Sequence, residues 1–262
     1  MRWHELFRCF VMLSAIASTT PAMAHFQMLI PSDDIVSQTE NRQIQLDAMF
    51  WHPFEGLGMP MKMPARIGVR VRGNDIDLRD DLKPVSRHDR AGDMFDAFRV
   101  DYTLKRPGDH IFFVEPQPYW ESNEELFIVH YTKVIVNAFG LESGWDEELG
   151  MPAEIVPLTR PYGLYAGNLF QGIVKVNGKP APYTEVEVEY FNQDGKSSAP
   201  ADPFITQIVK ADGNGVFSYV MPRAGWWGFA ALNRSALTMQ HEGKDYPVEI
   251  GAVMWVKTYV ME

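Results

Sequence analysis

Apolar and polar residues alternate over short stretches through most of the chain. Ile67-Gly-Val-Arg-Val-Arg72, Phe98-Arg-Val-Asp-Tyr-Thr-Leu104 and Val186-Glu-Val-Glu-Tyr190 follow the two-residue period of half-buried strands. Ile111-Phe-Phe-Val114 and Phe127-Ile-Val-His-Tyr-Thr-Lys-Val-Ile-Val136 are more continuously apolar and also read as strands. Turn signals separate them: Arg106-Pro-Gly-Asp109, Asn177-Gly178 and Asp212-Gly-Asn-Gly215. No window keeps a 3.6-residue apolar period for three turns. The pattern predicts an all-β protein of two β-sandwich domains.

Punctuation along the chain divides it. Pro152, Pro157 and Pro161 mark a linker over 151–167, between a sandwich at 25–150 and a second at 168–262. The second unit carries Val174-Lys-Val-Asn-Gly-Lys-Pro180 and Ala211-Asp-Gly-Asn-Gly-Val-Phe-Ser-Tyr219. On those patterns it resembles a carboxypeptidase regulatory-like, or transthyretin-like, sandwich, a likeness that speaks to fold and hardly to function. Gly225-Trp-Trp-Gly-Phe229 reads as sandwich core, because buried aromatics dominate such cores.

Residues 1–24 read as a cleaved signal peptide. Arg2 and Arg8 give a positive start, Cys9 to Ala17 an apolar stretch, and Ala22-Met-Ala24 a cleavage site. The apolar stretch is too short to span a bilayer, which takes roughly 20 residues. The expected product is a periplasmic protein, not itself membrane-spanning, that begins at His25. Its single cysteine, Cys9, leaves with the leader, so neither a disulfide nor a thiolate ligand is expected. Arg2, Arg8 and Glu5 also leave, which takes the formal charge from −10 to −11. An acidic surface argues against a nucleic-acid partner and permits a cationic ligand without establishing one.

With no thiolate, a metal would need His, carboxylate, Met or backbone nitrogen. Cleavage after Ala24 would give His25 both a free α-amine and an imidazole, a chelating pair that no internal histidine offers. His52, in Phe50-Trp-His-Pro-Phe-Glu-Gly56, ends a strand at a sandwich rim, where loops gather, or is simply satisfied in a tight turn. His130 shares a strand face with Ile128, Thr132 and Val134, and reads as a core histidine or a ligand. Glu115, at a strand end beside prolines, is a candidate ligand or a carboxylate that orients a histidine. Met61 and Met63 alternate in Met59-Pro-Met-Lys-Met63, which suits a soft ion or adaptable packing, the second being preferred. His110 reads as structural, and His88 and His241 as solvated. No nucleophilic triad, phosphate loop or zinc-protease spacing appears, so an enzyme is not expected.

The runs His52-Pro-Phe-Glu-Gly56, Phe112-Phe-Val-Glu-Pro-Gln-Pro-Tyr-Trp-Glu121, His130-Tyr-Thr-Lys133 and Glu154-Ile-Val-Pro-Leu-Thr-Arg-Pro-Tyr162 together resemble the DUF4198 family. The likeness runs from Ala24-His-Phe-Gln-Met-Leu-Ile-Pro31 to near Trp255. It implies a periplasmic protein that captures nickel or cobalt, copper being possible, for a membrane metal-transport permease. His25, His52, Glu115 and His130 stand in the family-like motifs, with Met61 and Met63 at a Met-x-Met position. Two other readings remain open: a copper histidine-brace protein or oxidative enzyme, and a non-catalytic adhesion or scaffolding sandwich.

Overall fold

The computed structural model describes residues 25–262; the expected signal peptide, residues 1–24, lies outside them. These residues form three sheets. In the first, Phe26–Pro31, Gln43–His52, Met94–Thr103 and Lys83–His88 are neighbours in that order, and Leu57–Met59 adds to Gln43–His52. The central sheet has eleven strands. Its main path runs Gln207–Lys210, Glu185–Tyr190, Gly225–His241, Lys244–Tyr259, Leu126–Ala138, Gly108–Glu115, Arg66–Val71 and Asn74–Asp77. The third joins Ala153–Pro157, Leu169–Val176, Lys179–Pro180 and Val216–Val220.

The all-β expectation holds, with two single-turn 3₁₀ segments, Arg79–Asp81 and Asp202–Phe204, as the helical pieces among the described residues. None of their helices is long and apolar enough to cross a membrane. The predicted Asn177-Gly178 turn forms with both residues at positive φ, 50° and 74°, as a type I′ hairpin turn requires.

One sheet serves both sequence halves. Leu126–Ala138 and Lys244–Tyr259 lie parallel, with Phe127 beside Val248 and the register kept through Val134 beside Trp255. Alternation along these strands feeds two cores. Ile128, Val134, Val136, Val253 and Trp255 face the first sheet, while Phe127, Val129, Ile135, Ala252 and Met254 face the third. Burial on both sides explains why Phe127–Val136 is more continuously apolar than a half-buried strand. It also explains the paired tryptophans: Trp226 enters one core and Trp227 the other.

Lys133 points into the third-sheet side and is fully buried. Its Nζ lies 2.7 Å from Glu154 Oε1, and the Glu154 carboxylate also accepts the Leu149 and Gly150 backbone N–H groups. Each oxygen therefore has a donor, as a buried charge demands.

Candidate metal site at the rim of the first sandwich

His25 and His52 meet because of strand register. Phe26–Pro31 pairs antiparallel with Gln43–His52, Phe26 facing Trp51, and continuing that register by one residue sets His25 beside His52. Pro53 follows His52, and a turn closes there with Gly56 N–H donating to the His52 carbonyl at 2.9 Å. The two imidazole centroids are 4.6 Å apart with the rings tilted by 54°. Phe50 stacks on His25 at 5.8 Å, and Tyr119 lies 6.2 Å from it.

A carboxylate fixes His25. Glu121 ends the Tyr119–Glu121 strand, which pairs with the start of Leu126–Ala138. Its Oε2 is 3.0 Å from His25 Nε2, and its Oε1 accepts the Asn123 backbone N–H at 2.9 Å. An ionised carboxylate only accepts, so Nε2–H is the donor and Nδ1 becomes the basic nitrogen. Burial holds the His25 imidazole below its ordinary pKa; Glu121 opposes that shift, His130 adds to it, and Glu249 opposes it.

His130 repeats the arrangement on the central sheet. Its ring is 2% exposed, and its Nε2 lies 3.3 Å from Glu249 Oε1. Its Nδ1 is buried with no hydrogen-bond partner among the described residues. The ring crosses directly over Gly251, its register neighbour on Lys244–Tyr259, where a Cβ would sit 2.3 Å from the His130 Cδ2. Only glycine leaves room for that ring. Phe50 touches both imidazole sites, with its centroid 6.3 Å from His130.

Further carboxylates act on one another around Glu249. Glu187 is pushed up to about 7 by burial, with Glu249, Glu124 and Glu185 adding to the shift. Glu124 is raised by burial and then by Glu249 and Glu121. Glu189 is raised well above its usual value, mainly by burial, and is held by the Thr206 hydroxyl and the Phe54 N–H. Glu121 and Glu249, each against one imidazole, are the carboxylates that a cation at the histidines would meet.

The other expected residues part company. Glu115 binds Arg66 Nη1 at 2.5 Å and acts on Tyr131. It is not brought to the histidines. Val114 faces the first core, so strand alternation turns Glu115 to the opposite side of the sheet. Met61 is buried; its sulfur accepts from Gln27 Nε2 at 3.5 Å, and it lines a cavity of about 440 Å³ together with His130. Met63 is 38% exposed and is not part of that lining. His110 is buried beside Phe112 with Nδ1 3.1 Å from the Gly108 carbonyl, and His241 stacks on Trp120 at 4.2 Å.

The sequence reading missed Glu121 and Glu249. Glu121 stands in the family-like run next to Tyr119 and Trp120, which was its available signal. Among the described residues, no three His, Cys, Asp or Glu side chains form a group ready to hold a metal ion. What converges is a pair of imidazoles, His25 at the start of the described residues and His52 at the end of the neighbouring strand, with Glu121 on His25.

The profile of the family described as a domain of unknown function, DUF4198, matches residues 22–235, which spans His25, His52, Glu121 and His130. The chain belongs to the DUF4198 family. No curated protein matches this DUF4198 chain. Among solved structures it is similar to the adhesin InvE of Yersinia pseudotuberculosis, at 11% identity and TM-score 0.21, covering 86% of this chain and 58% of that one. It is also similar to latent PorU from Porphyromonas gingivalis, at 12% identity and TM-score 0.22, covering 96% of this chain and 22% of that one. Bovine butyrophilin matches at 12% identity and TM-score 0.18, over 90% of this chain and 98% of its own. The chain thus spans little more than half of the adhesin and under a quarter of PorU.

Proposed function

We propose that this DUF4198 protein is exported to the periplasm, captures a divalent transition metal, nickel or cobalt, and delivers it to a membrane transport permease without acting as an enzyme. The observation that carries the reading is the contact of His25 with His52, 4.6 Å between centroids, with Glu121 on the Nε2 of His25. Removal of residues 1–24 would free the His25 α-amine. Amine and Nδ1 then chelate one ion through a six-membered ring, and His52 adds a third nitrogen. Glu121 keeps Nε2 protonated and the ring oriented, the service a carboxylate gives a metal-bound histidine. His130 supports the same chemistry: Glu249 engages Nε2, and the buried Nδ1 lone pair faces no protein donor. The metal here is cargo, and the Glu121 and Glu249 carboxylates beside the imidazoles favour its entry.

Calorimetric titration of protein beginning at His25 with Ni²⁺, Co²⁺ and Cu²⁺ tests this. Saturable one-to-one binding that His52→Ala weakens at least tenfold is expected. Absence of binding by all three ions contradicts the reading.

The same His25–His52 contact also favours a copper histidine brace, in which an N-terminal amine, its imidazole and a second imidazole hold Cu²⁺. A tetragonal copper paramagnetic resonance spectrum with reductant-dependent oxygen consumption would select that reading over capture. An adhesion or scaffolding role predicts that added metal leaves the melting temperature unchanged, whereas a true site raises it with ion concentration.

A further inference from the structure

The cavity of about 440 Å³ opens beside the histidines and shares their walls. Phe50 and Tyr119, which contact the His25 ring, both line it, and so does His130. Its volume is in the range of small-molecule sites, roughly 300–1,000 Å³. The walls are largely aromatic and proline, with Trp120 and Pro60 among them, and two opposite charges, Lys62 and Asp96, belong to the same lining. Neither charge is engaged in an ion pair among the described residues, and both are exposed at the mouth. Met61 N–H donates to the Asp96 carbonyl at 2.9 Å, which holds the segment that carries Lys62 next to Asp96.

The protein's donors at the rim are few. On the capture reading His25 would offer an amine and one imidazole nitrogen, His52 one more and His130 at most its Nδ1, while nickel and cobalt commonly take up to six ligands. We infer that this cavity admits the metal as a complex with a small aminocarboxylate chelator, whose donors complete the coordination sphere. This inference rests on the metal-capture reading above. An aminocarboxylate bound to a metal keeps an N–H on its coordinated amine and a free oxygen on its coordinated carboxylate. Asp96 accepts from that N–H and Lys62 donates to that oxygen, while Phe50, Tyr119 and Trp120 pack its carbon skeleton. No bond of the chelator is made or broken, so the step is binding alone.

The test compares free Ni²⁺ with a preformed one-to-one nickel–iminodiacetate complex, each titrated into protein beginning at His25. Lys62→Ala and Asp96→Ala serve as variants, since both side chains are exposed and their loss should leave the fold intact. The expected result is that the chelate binds at least as tightly as free Ni²⁺. Each substitution should weaken the chelate about fivefold or more and change free Ni²⁺ affinity less than twofold. Iminodiacetate stripping the nickel from the protein, or both variants binding the chelate like wild type, overturns the inference while free-ion binding leaves the capture reading standing. Failure of free Ni²⁺ and chelate alike removes the capture reading and this inference with it.

Discussion

Two buried polar clusters sit three residues apart on one strand and face opposite ways. Lys133, on the third-sheet side, meets Glu154, and the Glu154 carboxylate is further filled by two backbone N–H groups. His130, on the first-sheet side, meets Glu249 through one nitrogen and leaves the other buried with no partner. Both cost desolvation. The first is satisfied within the protein, and it ties the segment at Leu149 and Gly150 to the central sheet. The second keeps a lone pair in reserve, near the His25–His52 pair at the rim. A closed polar network points to architecture, and an open one points to a ligand.

The sharpest way to break this contrast is Lys133→Ala, which strands the Glu154 charge. Removing one partner of a buried pair typically costs about 3–5 kcal/mol, so the melting temperature should fall steeply in thermal unfolding. Metal affinity of the surviving folded protein should stay within about twofold. A large loss of affinity at matched folded fraction would mean that the two clusters are not separate.

Next in size is Gly251→Ala. Its methyl would occupy space held by the His130 ring, and overpacking of this kind costs about 1–3 kcal/mol. Chemical denaturation should show that loss together with weaker metal binding, because the ring that moves carries the open nitrogen. A stability loss with unchanged binding would remove His130 from the site.

Glu121→Gln and Glu249→Gln should reverse the pattern. Each keeps the shape and one acceptor oxygen but removes the negative charge that fixes an imidazole, and loss of such an orienting carboxylate costs about 10–100-fold in metal affinity. Thermal stability should change little. If Glu249→Gln binds like wild type and Glu121→Gln does not, only the rim pair holds the ion.

How much of this was legible follows from where each residue gets its partner. The strands, the Asn177-Gly178 turn and the face of His130 follow from local alternation and turn chemistry, and these appear as expected. His25 and His52 were legible as candidates, one from the cleavage pattern and one from a strand end before proline. Glu249 was not, because it reaches His130 through a parallel strand pair 119 residues apart in sequence, which no local pattern encodes. The placement of Glu115 away from the histidines was legible by parity: Val114 reads as core, so its neighbour points the other way. The open geometry of Met63 was likewise invisible, since alternating methionines do not say which of them is covered.

The smallest expected effects are in pH. His25 is held below its ordinary value by burial, so the folded state favours the neutral ring. That contribution is present above the unfolded value, about 6.5, and is lost as pH falls through the lower folded value. Glu187 has the opposite sign. Its folded pKa of about 7 lies above the usual carboxylate value, so its relative stabilisation is present in acid and fades as pH rises toward 7. Glu187→Gln should therefore raise the melting temperature slightly at pH 8 and not at pH 4. A rise of equal size at both would place the effect in packing.

The central claim is that processing at His25 creates the metal ligand. Its most direct test is Ni²⁺ titration of two forms, one beginning at His25 and one retaining Pro21–Ala24, where His25 is the fifth residue and its nitrogen is tied in a peptide bond. The account predicts at least tenfold weaker binding by the extended form with the same melting temperature. Equal affinity of the two forms would contradict it.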